Sequence, residues 1–500
     1  MPGRRAGLPH IPKTSLKSWR GALHGCETMD NFTFVYKGRY FLKEAETLER
    51  LSAIARRNGR RTHLVYDRDI FGAGDNVFNA VCLNALFSSV RGTARKVEPG
   101  ATAVFLATMN NAGWIGRVID AINSRRAGIK TIVIAAFEDL LPDVTANHTL
   151  IGEPESVFAR FLEPGCNAPA RLIVDEPADL DALPLPDKEL FGGYAPAAES
   201  YMIYTGRGCA GSCSYCEETV YKKQLNGYCR RRTPENVMAE LVHAQRAYGI
   251  KEVLFKDSVF TQDGPWLALF LAAYREKIGV PFKCFAKADA FNETMARQLK
   301  DSGCYCVEFG VQTINGDLRR NVLNRRETLE AVRAACLACN TCGLLYDIDH
   351  MFGIPHETVE DHKEAARWYA SLRGLNRIKC HNLTYYKCAD ITGYAIAAGD
   401  IASVPVDEEA GFFSTPVKKK LQWENRCFQK LFKTLPLLSE TSVRALVRGN
   451  GWKLFGWAPA ALIMIAQLII ALRNNDLRFK VYLKYYPKLL RPGNLKRVYV

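Results

Sequence analysis

Acidic residues are in short supply in this 500-residue chain: 52 Asp and Glu face 67 Lys and Arg, a formal charge of +15. The deficit leaves nucleic acid, an anionic membrane and anionic substrates open as partners and chooses none of them. The first residues, MPGRRAGLPH, lack the long apolar stretch of a secretory signal, which argues against an exported, disulfide-built protein. The 16 cysteines are therefore expected in a reducing cytoplasm, where metal binding is favoured over disulfides. Cysteine is sparse before residue 200, and Cys26, Cys82 and Cys166 stand far apart. Long apolar runs are missing too, except for residues 456–472 near the carboxyl end, an uncharged stretch at the lower edge of the length that spans a bilayer.

Residues 205–218, T-G-R-G-C-A-G-S-C-S-Y-C-E-E, are by contrast dense in chemistry. Cys209, Cys213 and Cys216 have C-x3-C-x2-C spacing, which lets one loop wrap three corners of a cubane, and thiolates are the soft ligands of iron–sulfur clusters. No fourth cysteine follows at ferredoxin-like distance, so one iron would stay open to a small molecule. Gly206, Gly208 and Gly211 let the backbone fold tightly around a bulky group. The plainer alternative is a zinc knuckle or three unrelated buried thiols. Zinc would want a fourth Cys or His nearby, and the next candidate, Cys229, is poorly placed.

Periodicity divides the chain into two α/β units and a helical end. Residues 1–29 are expected to form a loose basic arm. Over 30–165 the pattern predicts a helix at 41–58, strands at 62–67, 102–108 and 129–137, a helix at 113–127, and a short strand followed by a helix after Gly152. Such alternation implies an open, doubly wound parallel sheet, with ligands at the carboxyl ends of its strands. Residues 166–200, Pro-rich and acidic, are expected as an extended linker rather than a packed element. Over 201–400, six strand–helix pairs predict a partial (β/α)6 barrel with the cysteine loop at the carboxyl end of its first strand, 201–208. Residues 401–500 are expected to be helical.

At Cys209, Cys213, Tyr215 and Cys216 the chain resembles the radical S-adenosylmethionine (SAM) enzymes, whose signature is this spacing with an aromatic before the last cysteine. The resemblance implies a [4Fe–4S] cluster whose open iron chelates SAM, an electron that cleaves the sulfonium, and a 5′-deoxyadenosyl radical that abstracts hydrogen. It implies an electron donor such as flavodoxin or ferredoxin. It also places the backbone around Tyr215 near the adenine, Asp257 near the methionine amino group, and Glu308, Gly310 and Gln312, on one strand face, near the ribose and methionine. Gly353-Ile354-Pro355 resembles the glycine turn that reaches the adenine. The family's usual G-G-E segment is replaced by Phe255-Lys256-Asp257-Ser258, and each polar residue here has the alternative of lining the barrel without a ligand.

The amino-terminal unit resembles the Rossmann-like cobalamin-binding domain ahead of many radical SAM cores, most clearly through Gly152-Glu153-Pro154-Glu155 and Phe158. The D-x-H-x-x-G cobalt-ligating pattern is absent, and His63 and His148 stand outside it. The Gly-Gly turn of that family is replaced by Ala135-Ala136. Cobalamin without a protein histidine ligand, or a domain that has lost it, are the two readings. Together the resemblances imply a methyltransferase acting on an unactivated carbon or on phosphorus. The alternatives are a non-methylating radical reaction, such as tetrapyrrole cyclisation, and a non-catalytic cobalamin or redox sensor.

Three further features carry alternatives. Cys336, Cys339 and Cys342 imitate a second cluster motif but lie on an alanine-rich predicted helix, so a packed helix face is preferred. Cys304 and Cys306 are expected to be buried, and His381, Asn382, Tyr385 and Tyr386 to lie at the cavity mouth. Residues 456–472, with a basic aromatic tail after them, suit either an anionic membrane surface or burial against the barrel or in a dimer. A small-molecule substrate of lipid or pigment type is expected, and nucleic acid is not.

Overall fold

The computed structural model describes residues 31–38, 43–68, 89–108, 111–125, 127–142, 144–162, 169–174, 176–194, 197–385, 388–401 and 419–489. The basic arm, Cys26, Cys82, Cys166 and Tyr386 lie outside them.

The first sheet has six parallel strands: β1 (Asn31–Gly38), β2 (Arg61–Arg68), β3 (Thr102–Ala107), β4 (Lys130–Ala135), β5 (His148–Gly152) and β6 (Arg171–Val174), in the order β2-β1-β3-β4-β5-β6. Two of these strands depart from expectation. β1 was not anticipated, because Phe32, Thr33, Phe34, Val35 and Tyr36 are all buried, and a strand covered on both faces has no polar alternation to betray it. β6 falls within the segment expected as an unpacked linker. It pairs with β5, and further along Lys188 and Phe191 are buried as well, Lys188 Nζ bonding Glu49 at 2.6 Å. The helix expected after Gly152 is instead two 3-10 turns, Pro154–Ser156 and Phe158–Leu162.

The second sheet is also parallel. β7 (Tyr201–Ile203) is followed by a two-residue ribbon, β8 (Gly206–Arg207) with β9 (Arg230–Arg231), and then by β10 (Val253–Phe255), β11 (Phe282–Ala286), β12 (Cys304–Gln312), β13 (Leu345–Phe352) and β14 (Leu375–Asn382). The order β14-β13-β12-β11-β10-β7 is sequential, as a partial barrel requires, and helices separate its strands. The strand expected over 201–208 stops at Ile203, where the chain leaves the sheet to make the ribbon. Cys304, Cys306, Cys336 and Cys339 are buried, the last two on helix Leu329–Thr341.

One of the three apolar clusters spans both units. Val35, Phe105 and Val133 of the first sheet cluster with Leu318, Leu323, Ile354 and Ile391 of the second unit. Beside it runs a buried ionic seam. Glu240, on helix Pro234–Tyr248, takes Arg232 at 2.8 Å and Arg50, of helix Lys43–Arg57, at 3.4 Å, and accepts from Tyr201 Oη at 3.0 Å.

The carboxyl-terminal helices are Lys419–Thr434, Glu440–Arg448, Leu454–Trp457, Ala460–Arg473 and Leu477–Leu489. Phe428, Phe432 and Trp452 pack into the barrel's core. The chain then crosses beneath the strand starts: Arg377 bonds Asp476 at 2.5 Å, and Arg478 Nη1 donates to Ser200 Oγ at 2.8 Å and pairs with Glu252 at 3.2 Å.

Candidate active site

The cysteine loop is built by pinning its two ends. At its start, Thr205 donates from N and Oγ1 to the buried Asp257 carboxylate, at 3.0 and 2.7 Å. Gly208 has φ +90, and a Cβ there would lie 2.7 Å from Cys229 Cα and Sγ, so the ribbon needs a glycine on both counts. Cys229, set aside on spacing, thus lies against the loop, its thiol donating to Cys209 O at 3.4 Å. At the far end Ser214 N donates to Leu323 O at 3.1 Å, and Asn324 Nδ2 to Ser212 O at 2.8 Å. Cys216 then caps helix Glu217–Gln224.

The three thiols are free and half-buried, and two of them flank Gly211: its N–H donates to Cys209 Sγ at 3.3 Å, and a Cβ there would sit 3.4 Å from Cys209 Sγ and 4.0 Å from Cys213 Sγ. Burial raises the Cys209 and Cys216 thiols, the latter further through Glu218 and Glu217, so without a metal both stay protonated. Arg325 supplies positive charge: its Nη1 lies 3.8 Å from Cys213 Sγ and donates to Tyr215 Oη at 2.9 Å, while Nη2 reaches Gly310 O. Three half-buried thiols on one loop, with Arg325 beside Cys213 and Lys222 bonded to Gly211 O, are a donor set that suits an iron–sulfur cluster held on three corners.

Along the barrel the predicted residues separate. Gly310 and Gln312 come together: a Cβ on Gly310 would meet Gln312 Nε2 at 2.8 Å. They do so not by regular alternation but because the register breaks between them and Gln312 takes φ +68. Gly353 has φ +84, donates to Glu357 at 2.7 Å, and accepts from Tyr385 Oη at 2.8 Å. Glu308 is buried in a network with Lys283, 2.8 Å away, and Lys379, which together hold its carboxyl well below the usual range despite burial. Asp347 joins the same network through Lys283.

Gly152 ends β5 with φ +109 and lines a cleft of about 260 Å³ between the units. One wall carries the strand ends Leu106, Thr108, Ile134 and Ala136; the other carries Arg207, Glu218, Tyr221, Lys256 and Ser258. Ala136 adds little bulk to that first wall, Gly152 is required there because a Cβ would collide with Val174 O of β6, and no histidine is among the described residues that line the cleft. His148 bonds Pro169 O at 3.1 Å instead. Glu153 is not turned to the cleft alone: Arg207 lies 3.1 Å away, Arg230 closer, and these cations keep it ionised although burial opposes this. Arg207 also holds Glu155.

Sequence reasoning missed three groups here. Lys43 reaches into the cleft, donates to Tyr228 Oη at 2.6 Å and sits 4.3 Å over the Tyr221 ring; burial disfavours its charge, but Glu218 raises its pKa and keeps it cationic. Arg325 could have been found from the R-R-E run after β12. Glu357 lies two residues past the Gly353-Ile354-Pro355 turn, a buried acid pushed up to about 8 by burial. It neighbours His350 and His362, the latter 3.6 Å away, under Phe352, Phe428 and Phe432.

Residues 203–369 match the model of the radical SAM superfamily. An uncharacterized methyltransferase of Pyrococcus horikoshii is 25% identical over 46% of this chain and 50% of its own length. Cytidylyl-2-hydroxyethylphosphonate methyltransferase of Streptomyces wedmorensis is 24% identical over 45% and 42%. The chain thus spans half or less of the curated relatives it matches. Among solved structures, the radical SAM methyltransferase TsrM of Kitasatospora setae, with cobalamin and a [4Fe–4S] cluster bound, aligns with TM-score 0.54 at 14% identity over 75% of this chain and 76% of that one. The cobalamin-dependent SAM radical enzyme OxsB, with aqua-cobalamin and SAM bound, aligns with TM-score 0.56 at 11% identity over 94% and 84%.

The radical SAM match thus falls on the barrel that carries the cysteine loop, residues 203–369. The likeness to TsrM and OxsB is one of fold, and in this chain that fold is a six-stranded parallel sheet ahead of the barrel.

Proposed function

We propose that the protein is a cobalamin-dependent radical SAM methyltransferase acting on an unactivated carbon, or on phosphorus, of a small lipid- or pigment-like molecule. The observation that carries the reading is the cleft: the carboxyl ends of one parallel sheet face, across it, Arg207, Glu217 and Glu218, the residues that flank the cysteine loop. When bound, a [4Fe–4S] cluster supplies the electron that cleaves SAM, and cobalamin supplies a carrier for the methyl group.

In this reading Cys209, Cys213 and Cys216 hold the cluster. Gly310, Gln312 and Gly353 offer backbone and amide groups to SAM, and Arg325 orients Tyr215 beside them. Asp257 acts by fixing Thr205, and Glu308 by neutralising the lysines of the barrel wall. Gly152 lets β5 end close against Val174 of β6 at the rim of the cleft where cobalamin would lie, while Glu153 holds Arg207 and so the base of the cysteine loop. A cytoplasmic flavodoxin or ferredoxin is the electron donor.

The test is anaerobic reconstitution with iron, sulfide and hydroxocobalamin, followed by reduction with SAM present. Retained cobalamin, with 5′-deoxyadenosine and S-adenosylhomocysteine both formed, is expected. Deoxyadenosine alone moves the assignment to a non-methylating reaction such as ring closure of a tetrapyrrole, and neither product overturns it.

A further inference from the structure

Helix Ala460–Arg473 is held firmly on one side and bare on the other. Ile463, Ile470 and Ala471 are buried against the protein, and Asn474 Nδ2 donates to Asn376 Oδ1 at 2.9 Å just beyond its end. Its outer face is apolar: Leu462 is 57% exposed, Ile465 51% and Leu472 66%, and Trp457, just before the break at Pro459, is 79% exposed. A contiguous face of this kind on a fixed element is rare on a protein that meets only water.

The carboxyl-terminal segment that carries the helix is strongly basic in sequence. Residues 418–500 contain seventeen Lys and Arg against three Asp and Glu, so fourteen of the chain's fifteen net positive charges lie in this segment. We propose that this face docks on an anionic lipid surface, with Trp457, Leu462, Ile465 and Leu472 in the headgroup–acyl boundary and the exposed Lys453 and Arg473, at either end of the apolar stretch, over the lipid phosphates. A second copy is the poorer occupant, because pairing these faces would bring two strongly cationic segments together. No single described helix is long and apolar enough to cross, and the segment bends by 107° between 451–457 and 460–473, a geometry that lays the helix along a surface more readily than through it. The helix lies in the membrane plane. This inference concerns attachment and stands apart from the assignment of the cofactors.

Flotation of the full chain with vesicles tests it. Phosphatidylcholine mixed with phosphatidylglycerol should carry at least ~10-fold more protein than phosphatidylcholine alone, and added salt should reduce the difference. The triple variant Leu462→Ser, Ile465→Ser, Leu472→Ser should lose flotation while keeping the wild-type circular dichroism, whereas Leu269→Ser, an exposed leucine on helix Gly264–Lys277, should not. Brominated anionic lipid should quench wild-type tryptophan fluorescence more than that of Trp457→Phe. Equal recovery with both vesicle types, or none, overturns the proposal. So does a wild-type dimer that the triple variant converts to monomer, which would make the face a self-association surface.

Discussion

Replacing Glu155 by Gln tests whether the two units are locked together where the cysteine loop begins. Glu155 is buried, accepts from both terminal nitrogens of Arg207, and belongs to the turn that follows β5, whereas Arg207 lies on β8, two residues before Cys209. The amide keeps the shape but removes one charge, leaving Arg207 to Glu153, which already serves Arg230. Breaking a buried pair from one side costs about 3–5 kcal/mol, and the remaining Glu153 contact brings the expectation to about 2–3 kcal/mol. That is a large fraction of the ~5–15 kcal/mol that holds a typical domain folded. Adding Arg207→Met removes the stranded cation, so the double variant should cost less than the sum of the singles by about 1–3 kcal/mol. Urea denaturation of the metal-free chain, followed by circular dichroism, measures the cycle. Iron bound after reconstitution should fall in Glu155→Gln, because the base of the loop loses its register. Additive effects, or a single-variant cost below about 1 kcal/mol, would refute the idea of a buried lock.

Other outcomes follow from individual residues. Gly208→Ala should lower stability by about 1–2 kcal/mol and sharply reduce iron incorporation, since φ +90 and the 2.7 Å approach to Cys229 leave no place for a methyl group; iron per chain checks it. Cys213→Ala should abolish SAM cleavage while leaving the melting of the metal-free chain near wild type, because the thiol is half-buried and unpaired with any other cysteine. Glu357, raised to about 8 in the fold, is protonated there while the unfolded chain ionises from about pH 4.5, so its contribution to stability falls as pH rises through that window. Glu357→Gln should therefore gain on wild type by about 3 kcal/mol between about pH 5 and pH 8, and a pH-independent difference in melting would sink the argument. His362 works in the opposite direction: drawn down to about 4 by burial, it costs stability as pH falls below about 6.5, and His362→Phe should flatten the acid limb of the same melting profile.

What could be read from the chain alone was local chemistry and alternation. The cysteine loop, the six barrel strands and the sheet strands at β2 to β5 each carry their signal within a dozen residues. β1 did not, because burial of Phe32 to Tyr36 on both faces erases the period on which a strand is recognised. β6 was hidden by the prolines and acids around R-L-I-V. The residues that hold the site together were least legible. Glu155 and Arg207 stand 52 positions apart, Arg50 and Glu240 190, and nothing in either neighbourhood marks its partner. Glu308, Gly310 and Gln312 illustrate the middle ground. The strand was correctly expected, but the register break that turns Gln312 over Gly310 belongs to the pairing with β13 and not to β12 alone.

The crossing of the chain beneath the barrel has a consequence for how the molecule is made. Ser200 and Glu252 stand at the starts of the first two barrel strands, yet Arg478, which bonds both, is 278 residues after the first of them. Asp476 likewise supplies a carboxylate to Arg377, and Asn376 donates to it. During synthesis all six strands leave the ribosome before these partners do. The underside of the barrel must wait, solvated and open, until the last helices arrive, and closure there is a late step, coupled to docking of the same segment that bears the bare apolar helix. A chain cut before Asp476 should emerge with its strands formed and its underside unsealed, a species for chaperones to hold rather than an enzyme with a shorter tail.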